Sequence, residues 1–481
     1  MDYRPILMVV GLLVAVLALV MCIPAVVDYV NGYKDWQVFA TSASVTLFVG
    51  IAMALTGNTG SNSFSVRQAF VITSFSWIAL TLFASLPFAF SELNLSFTDS
   101  FFEAMSGLTT TGSTVIVGLD RAPPGILLWR SLLQWLGGIG IIVMAIAVLP
   151  MLQVGGMQLF RMESSEPFEK ALPRAAQIAS ATGVIYLGLT IIWTALYWLL
   201  GMSGFDALTH SMTTIATGGF STHDSSMAYF KSSAIHYAAT CGMVLGALPF
   251  VLYLKTLSGN WTSLVRDSQV QWFITFVLGI IAAMTIWLSL IDNRSLEEVI
   301  RLSAFNVVSI VTGTGYVSAN YSLWGAFALP VFFFIMFVGG CAGSTTCGVK
   351  IFRFQILYSA TRAQIRRLTH PHGVFIPTYN GRPVSQEVIV SVLSFFFMWF
   401  FSFSVLALGL GALGLDFLTA FSSAASAIAN VGPALGSIAG PSGTFQPLPD
   451  SAKWLLSWGM LLGRLELFTV IVLFSRNFWK G

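Results

Sequence analysis

Four short stretches place hydroxyl residues, small side chains and glycine inside chain that is otherwise apolar enough for lipid: T-T-T-G-S-T (109–114), A-T-G-G-F-S (216–221), G-T-G-Y (313–316) and N-V-G-P (430–433). No nucleophile–base arrangement accompanies them. The five histidines, His210, His223, His236, His370 and His372, have no ligand spacing, and Cys22, Cys241, Cys341 and Cys347 form neither a zinc pattern nor a disulfide framework. A P-loop, a nucleophile elbow and a dinucleotide-binding glycine motif are also absent, so neither an enzyme nor a resident cofactor is expected. The remaining chemistry is that of the peptide carbonyl. Glycine lets backbones approach closely and turn their oxygens inward, and a ring of such oxygens can replace the hydration shell of a monovalent cation.

The stretches share one frame. Setting 101–112 on 207–219 superposes Asp99 on Asp206, Met105 on Met212 and Gly112 on Gly219 without a gap, and 303–316 and 420–433 fit more loosely. The frame glycines are Gly112, Gly219, Gly315 and Gly432. The expected ion-binding residues are Thr110, Thr111 and Gly112; Gly218 and Gly219; Thr314 and Gly315; and Asn430, Val431 and Gly432. A single T-x-G more often serves helix packing, but four copies in register argue for a filter. Gly137 and Gly138 fall outside the frame and keep the packing role.

Elements to hold such a ring are abundant. The chain of 481 residues is 56% hydrophobic and 9% charged, with mean hydropathy +0.80, the composition of an integral membrane protein. Apolar runs near 5–27, 36–56, 68–91, 126–150, 178–201, 235–254, 270–292, 325–340, 388–413 and 453–474 predict ten spans, with both termini on one side. The first is too long for a cleaved leader and has no small-residue cleavage site. A helix-compatible segment too short to cross the membrane precedes each frame glycine. The predicted fold is all-α: two N-terminal helices, then four repeats of span, pore helix, filter strand and span around a pseudo-fourfold pore. Non-helical backbone cannot face lipid, so four breaks at one depth must meet on an axis, with the helix C-termini turned toward the ion.

Charge sets the orientation. With the N-terminus cytoplasmic, 15 of the 23 basic residues fall inside and 7 outside, as the positive-inside rule requires, while acids including Asp99, Glu103, Asp120, Asp206 and Asp224 collect outside. The odd one is Arg464, about ten residues into the last span, where a cation costs at least ~2.5–3.5 kcal/mol. It reads as a barrier facing the pore; the structural alternative is a partner acid on another helix. Glu466, two positions on, does not share its face. A second irregular stretch, F-V-G-G-C-A-G-S-T-T-C-G-V-K (337–350), should unwind the eighth span through Gly339, Gly340, Gly343, Ser344, Thr345, Thr346 and Gly348.

The order and spacing of these motifs, with Q-W-L-G-G-I-G-I-I-V-M-A-I-A-V-L-P (134–150) and G-R-L-E (463–466), resemble the Trk/Ktr/HKT superfamily of potassium transporters, and within it the TrkH type, over the whole chain. The resemblance implies the division 1–66, two N-terminal helices; 67–152, first repeat; 153–258, second; 259–352, third, with an intramembrane gate loop; 353–386, a basic cytoplasmic linker; and 387–481, fourth. It implies gated permeation of K+, with Rb+ also passing, across a bacterial inner membrane. It places Arg464 beneath the filter, and 337–350 as a loop obstructing the pore, although Thr346–Cys347 stands where the family pattern has Ser–Gly. It further implies a homodimer and docking of a cytosolic nucleotide-binding ring of the TrkA type on the basic linker and on 152–175. Membrane lipid also contacts such basic segments, and no nucleic acid is expected. The competing reading is a proton- or sodium-coupled potassium transporter, for which Glu466 is the one clear intramembrane acid.

Overall fold

The structure is a computed structural model that describes residues 2–58, 65–147 and 168–480, with only the backbone given for 145–147 and 168–176. Helices α1 (Arg4–Asn31) and α2 (Trp36–Gly57) pack along one another through Gly11, Gly50 and Gly57, where a Cβ would overlap the facing backbone. The first repeat is α3 (Val66–Ala84), the short α4 (Phe97–Leu108) and α5 (Pro124–Ala147). The second is α6 (Phe168–Leu199), short α7 (Gly204–Ile215), α8 (Ser233–Gly246) and α9 (Phe250–Leu257). The third is α10 (Ser268–Ile291), short α11 (Leu296–Val311), α12 (Ala328–Ile335) and α13 (Ile351–Thr369). The fourth is α14 (Gln386–Ala412), short α15 (Phe417–Ala429), α16 (Asp450–Arg464) and α17 (Phe468–Ile471).

Among the described residues seven helical stretches are long and apolar enough to cross a membrane unbroken, or up to nine if each of two bent pairs is one span. The span expected at 235–254 bends by 93° between α8 and α9, and that at 453–474 bends by 108° between α16 and α17. The eighth, 325–340, is the eight-residue α12 followed by irregular chain. The causes are local. Pro249 sits in the break of the first bent pair as the N-cap of α9, and Glu466, with φ +57°, lies just past the helix end at Arg464. Apolar composition alone does not register such breaks.

Each short helix starts the same way. Ser96, Ser203, Ser295 and Asp416 accept hydrogen bonds from the backbone N–H of Asp99, Asp206, Glu298 and Thr419. Each ends on a left-handed residue, and the next N–H reaches back to a carbonyl five positions earlier: Thr111 to Ser106, Gly218 to Thr213, Thr314 to Ser309 and Val431 to Ser426, at 2.8–2.9 Å. The third pore helix is longer, 16 residues against 12 or 13, with its glycine still four positions past its end.

The segment expected as a basic linker is ordered. It continues as α13, turns at His370–Gly373 and closes a two-residue hairpin, Thr378–Tyr379 against Arg382–Pro383. Arg353 does not belong to an exposed basic patch. It is fully buried, paired with Glu466 and stacked 3.6 Å from the Phe395 ring. Of the other expected docking segment, 152–167 lies outside the described residues.

Candidate functional site: a carbonyl ring and the loop beneath it

The four frame glycines share one backbone pattern. In each repeat two residues, separated by one, have positive φ: Thr110 and Gly112, Thr217 and Gly219, Gly313 and Gly315, Asn430 and Gly432. Thr217 and Gly313 were missing from the expected set, although their place two before each frame glycine was available in the sequence. A β-branched threonine at φ near +50° is a strained conformation, and two of the four strands hold one.

The frame glycines close the ring. A Cβ on Gly112 would overlap the Gly218 carbonyl oxygen, on Gly219 that of Thr314, on Gly315 that of Val431, and on Gly432 it would crowd that of Thr111. Each repeat therefore abuts the next and the fourth returns to the first, a closed circle of four oxygens. Thr111, Thr314 and Val431 are buried, and among the described residues none of their carbonyls has a hydrogen-bond donor. Buried carbonyls are nearly always paired, which makes this set unusual among the described residues.

The ring is not uniform. Gln134 on α5 donates through Nε2 to the Gly218 oxygen and accepts at 3.0 Å from the Phe220 N–H. The Gly432 oxygen, unlike those of Thr111, Thr314 and Val431, accepts from both Ser113 and Ser426 hydroxyls at 2.8 Å.

Beside the ring, segment 337–350 is irregular, non-helical chain. Its neck is stitched by Gly339 N–H to Val349 O (2.6 Å) and Val349 N–H to Phe337 O (3.0 Å). Its tip docks into the break between α8 and α9, whose freed backbone groups it satisfies: Cys341 N–H to Ala247 O, Thr345 N–H to Gly246 O and Phe250 N–H to Gly343 O. The Thr345 hydroxyl lies 2.9 Å from that of Thr217, joining loop to filter. Gly340, Ser344, Thr345 and Thr346 are buried, and Gly343 and Gly348 have φ +74° and +71°.

Among the described residues Arg464 meets no acid. Its guanidinium donates to the Thr345 carbonyl (3.1 Å), the Cys347 sulfur (2.7 Å) and the Gly137 carbonyl on α5 (2.7 Å), while Nε has no partner. Glu466 is engaged by Arg353, so it is not the partner of Arg464. Gly137 also keeps its packing role, since a Cβ there would overlap Leu108 O. Arg464, Lys350 and the loop line one cavity, and Lys350, expected among exposed basic residues, is buried and donates to the Thr346 carbonyl.

The chain matches the family model TrkH, described as cation transport protein, over residues 35–480. It is 46% identical over 479 residues to the Trk system potassium uptake protein TrkI of Halomonas elongata, covering 99% of this chain and 97% of that one. It is 38% identical over 486 residues to the Trk system potassium uptake protein TrkH of Escherichia coli K12, covering both in full. The chain belongs to the TrkH family. Its fold also superposes on the crystal structure of the potassium transporter TrkH from Vibrio parahaemolyticus with TM-score 0.93 at 38% identity, over 100% of both chains. A TrkH-family chain is a multi-pass membrane transport protein and not an enzyme.

On the pore-helix N-terminal side of the filter, His223 is more than an ordinary loop residue. Its Nδ1 is 2.6 Å from Asp120 of the first repeat, its Nε2 is 3.6 Å from Asp206 of the second, and its ring stacks on Tyr229 at 3.5 Å. Burial lowers its pKa, but the carboxylates of Asp206 and Asp120 outweigh this and hold it above the ordinary 6.5. The hydrogen bond from His223 holds Asp120 below the usual 3.8. Stabilisation by the imidazolium is complete below pH 6.5 and is lost as pH rises through the raised value; that from Asp120 is present above 3.8 and lost as pH falls through the depressed one. The melting-temperature difference between wild type and His223→Gln is therefore expected to be largest between about pH 4 and 6.5 and to shrink in alkali. A difference independent of pH would mean that the bridge is not ionic.

Proposed function

We propose that this TrkH-family chain takes up potassium by permeation through the carbonyl ring, with the intramembrane loop and Arg464 as its gate. The observation that carries the reading is the closed ring of Thr111, Gly218, Thr314 and Val431, three of whose buried oxygens have no donor among the described residues. A dehydrated K+ or Rb+ supplies the missing partner. Few carbonyl rings and an uneven fourth strand give weaker rejection of Na+ than four identical, longer strands would. The driving force is an inside-negative potential across a bacterial inner membrane, about 2.3 kcal/mol per charge per 100 mV, with both termini cytoplasmic.

Loop, filter and Arg464 form one hydrogen-bonded unit, so a partner that moves α13, which leads out of the loop, would act on the gate. A nucleotide-binding ring of the TrkA type, docked on α13 and its hairpin, fits that role, as does a homodimer with one pore per chain. Coupling to protons finds less support, because Glu466, its best carboxylate, is held by Arg353.

Flux into vesicles at several imposed voltages tests the reading. Reversal at the potassium equilibrium potential, unmoved by a proton gradient, is expected; reversal that follows the proton gradient rejects it. Removing residues within 341–346 is expected to raise basal flux without any cytosolic partner. Gly343→Ala, which meets no neighbour but strains φ +74°, is expected to do so more weakly. Unchanged flux in a folded deletion variant rejects the gate.

A further inference from the structure

In three of the four repeats the residue nine positions before the frame glycine bonds the far end of its own filter strand. In the first repeat it is Glu103, whose Oε2 accepts from the Val115 N–H at 2.9 Å and whose Oε1 accepts from the Thr114 hydroxyl at 3.0 Å. In the second it is His210, 2.9 Å from the Ser221 hydroxyl. In the third it is Asn306, which donates to the Ser318 hydroxyl at 2.9 Å and accepts from its N–H at 3.3 Å. In the fourth it is Ser423, buried without a partner. The four positions are equivalent struts of unequal reach, and only the first is charged.

Glu103 differs again in being tied to a neighbouring repeat. Its Oε1 accepts from Arg130 Nε at 2.8 Å, both groups being fully buried (0% and 1% exposed). Arg130 then donates to the Ser221 carbonyl of the second strand at 2.7 Å and lies 4.0 Å over the Phe220 ring. One turn further along α5, Gln134 holds Gly218 and Phe220. The sequence had assigned Glu103 and Arg130 to the outer charge tally, yet neither reaches water. A forked guanidinium bonded to a carboxylate and a carbonyl fixes both distance and angle, which a lysine cannot do.

We propose that the buried Glu103–Arg130 pair is a selectivity determinant: it sets the spacing between the first and second filter strands, and so the size of the carbonyl ring between Thr111 and Gly218. Neither residue touches the ion path through its own side chain; both are positioning residues. The proposal rests on the permeation reading above. The weak strut at Ser423 assigns the opposite side of the ring to a softer wall, so that this one pair defines the stiff side.

The test is the K+/Na+ permeability ratio from bi-ionic reversal potentials in proteoliposomes, for wild type, Glu103→Gln, Arg130→Lys and the exposed control Arg294→Lys. Glu103→Gln keeps an acceptor for Val115 and loses the charge; Arg130→Lys keeps the charge and loses the fork. Both are expected to lower the ratio about threefold or more, whatever their conductance, while Arg294→Lys leaves it unchanged. Unchanged ratios in both pair variants overturn the proposal. If a variant does not conduct, thermal shift of the purified protein in K+ against Na+ decides: the wild-type excess for K+ should shrink, and an unchanged excess overturns it. Loss of a potassium-dependent reversal potential in wild type itself sinks the permeation reading, a separate outcome.

Discussion

Arg464→Ala is expected to raise potassium flux per folded molecule by one to two orders of magnitude. Two effects act together. A fixed positive charge some 5–6 Å from the ion path, at an effective dielectric of ~20, opposes a monovalent cation by about 3 kcal/mol, and 1.4 kcal/mol is tenfold in rate. The same side chain also pins the gate loop at the Thr345 carbonyl and the Cys347 sulfur and anchors it to α5 at Gly137. Removing it frees the loop tip and lowers the barrier in one change. Stability suffers little by comparison, since no buried acid is stranded: Glu466 keeps Arg353. Arg464→Lys retains the charge but not the fork, and is expected to fall between wild type and the alanine variant. Equal flux in all three proteins, or lower flux per folded alanine variant, removes Arg464 from the pore. Flux should be normalised to monodisperse protein, so that yield is not mistaken for transport.

Gly219→Ser is expected to bring the K+/Na+ permeability ratio close to one while the protein still inserts and folds. At φ +76° a side chain costs roughly 1–2 kcal/mol from backbone strain alone. The larger consequence is spatial: the new Cβ would occupy the position of the Thr314 oxygen, so the second and third strands must separate. Gly112→Ser acts likewise against the Gly218 oxygen. Gly279 on α10 has open space around it, and Gly279→Ser controls for expression and insertion. Bi-ionic reversal potentials give the answer. An unaltered ratio in a conducting Gly219→Ser protein would place the ring elsewhere.

The difference between these two predictions mirrors what could be read from the chain. Gly219 was identifiable before any coordinates, because a residue that needs positive φ beside another backbone leaves its mark in amino-acid type, and four such marks in register leave a repeat. The pore helices were legible for a similar reason: Ser96, Ser203 and Asp416 cap them at a constant sixteen residues before the glycine. The irregular segment 337–350 declared itself through its glycines. All of these are local constraints, imposed by a residue's own backbone or by neighbours a few positions away.

What the sequence withheld depended on partners far along the chain. Arg464 was visible as a buried cation, but its engagement by a carbonyl 119 positions away in place of an acid was not. Glu103, Arg130, Lys350 and Arg353 counted as ordinary charges because the positive-inside rule reads a residue's neighbourhood in sequence and knows nothing of its burial. The bends after Gly246 and Arg464 escaped because hydropathy sums over a window, whereas a helix breaks at one peptide where another segment can satisfy the freed groups. By itself, then, the sequence determined the repeat, its four positive-φ glycines and the membrane class, since backbone conformational need and apolar length are written residue by residue. Which carbonyls stay without donors, which charges pair and where the loop docks were decided only by tertiary structure, because each is a hydrogen-bond balance among segments that meet only once four repeats close around one axis.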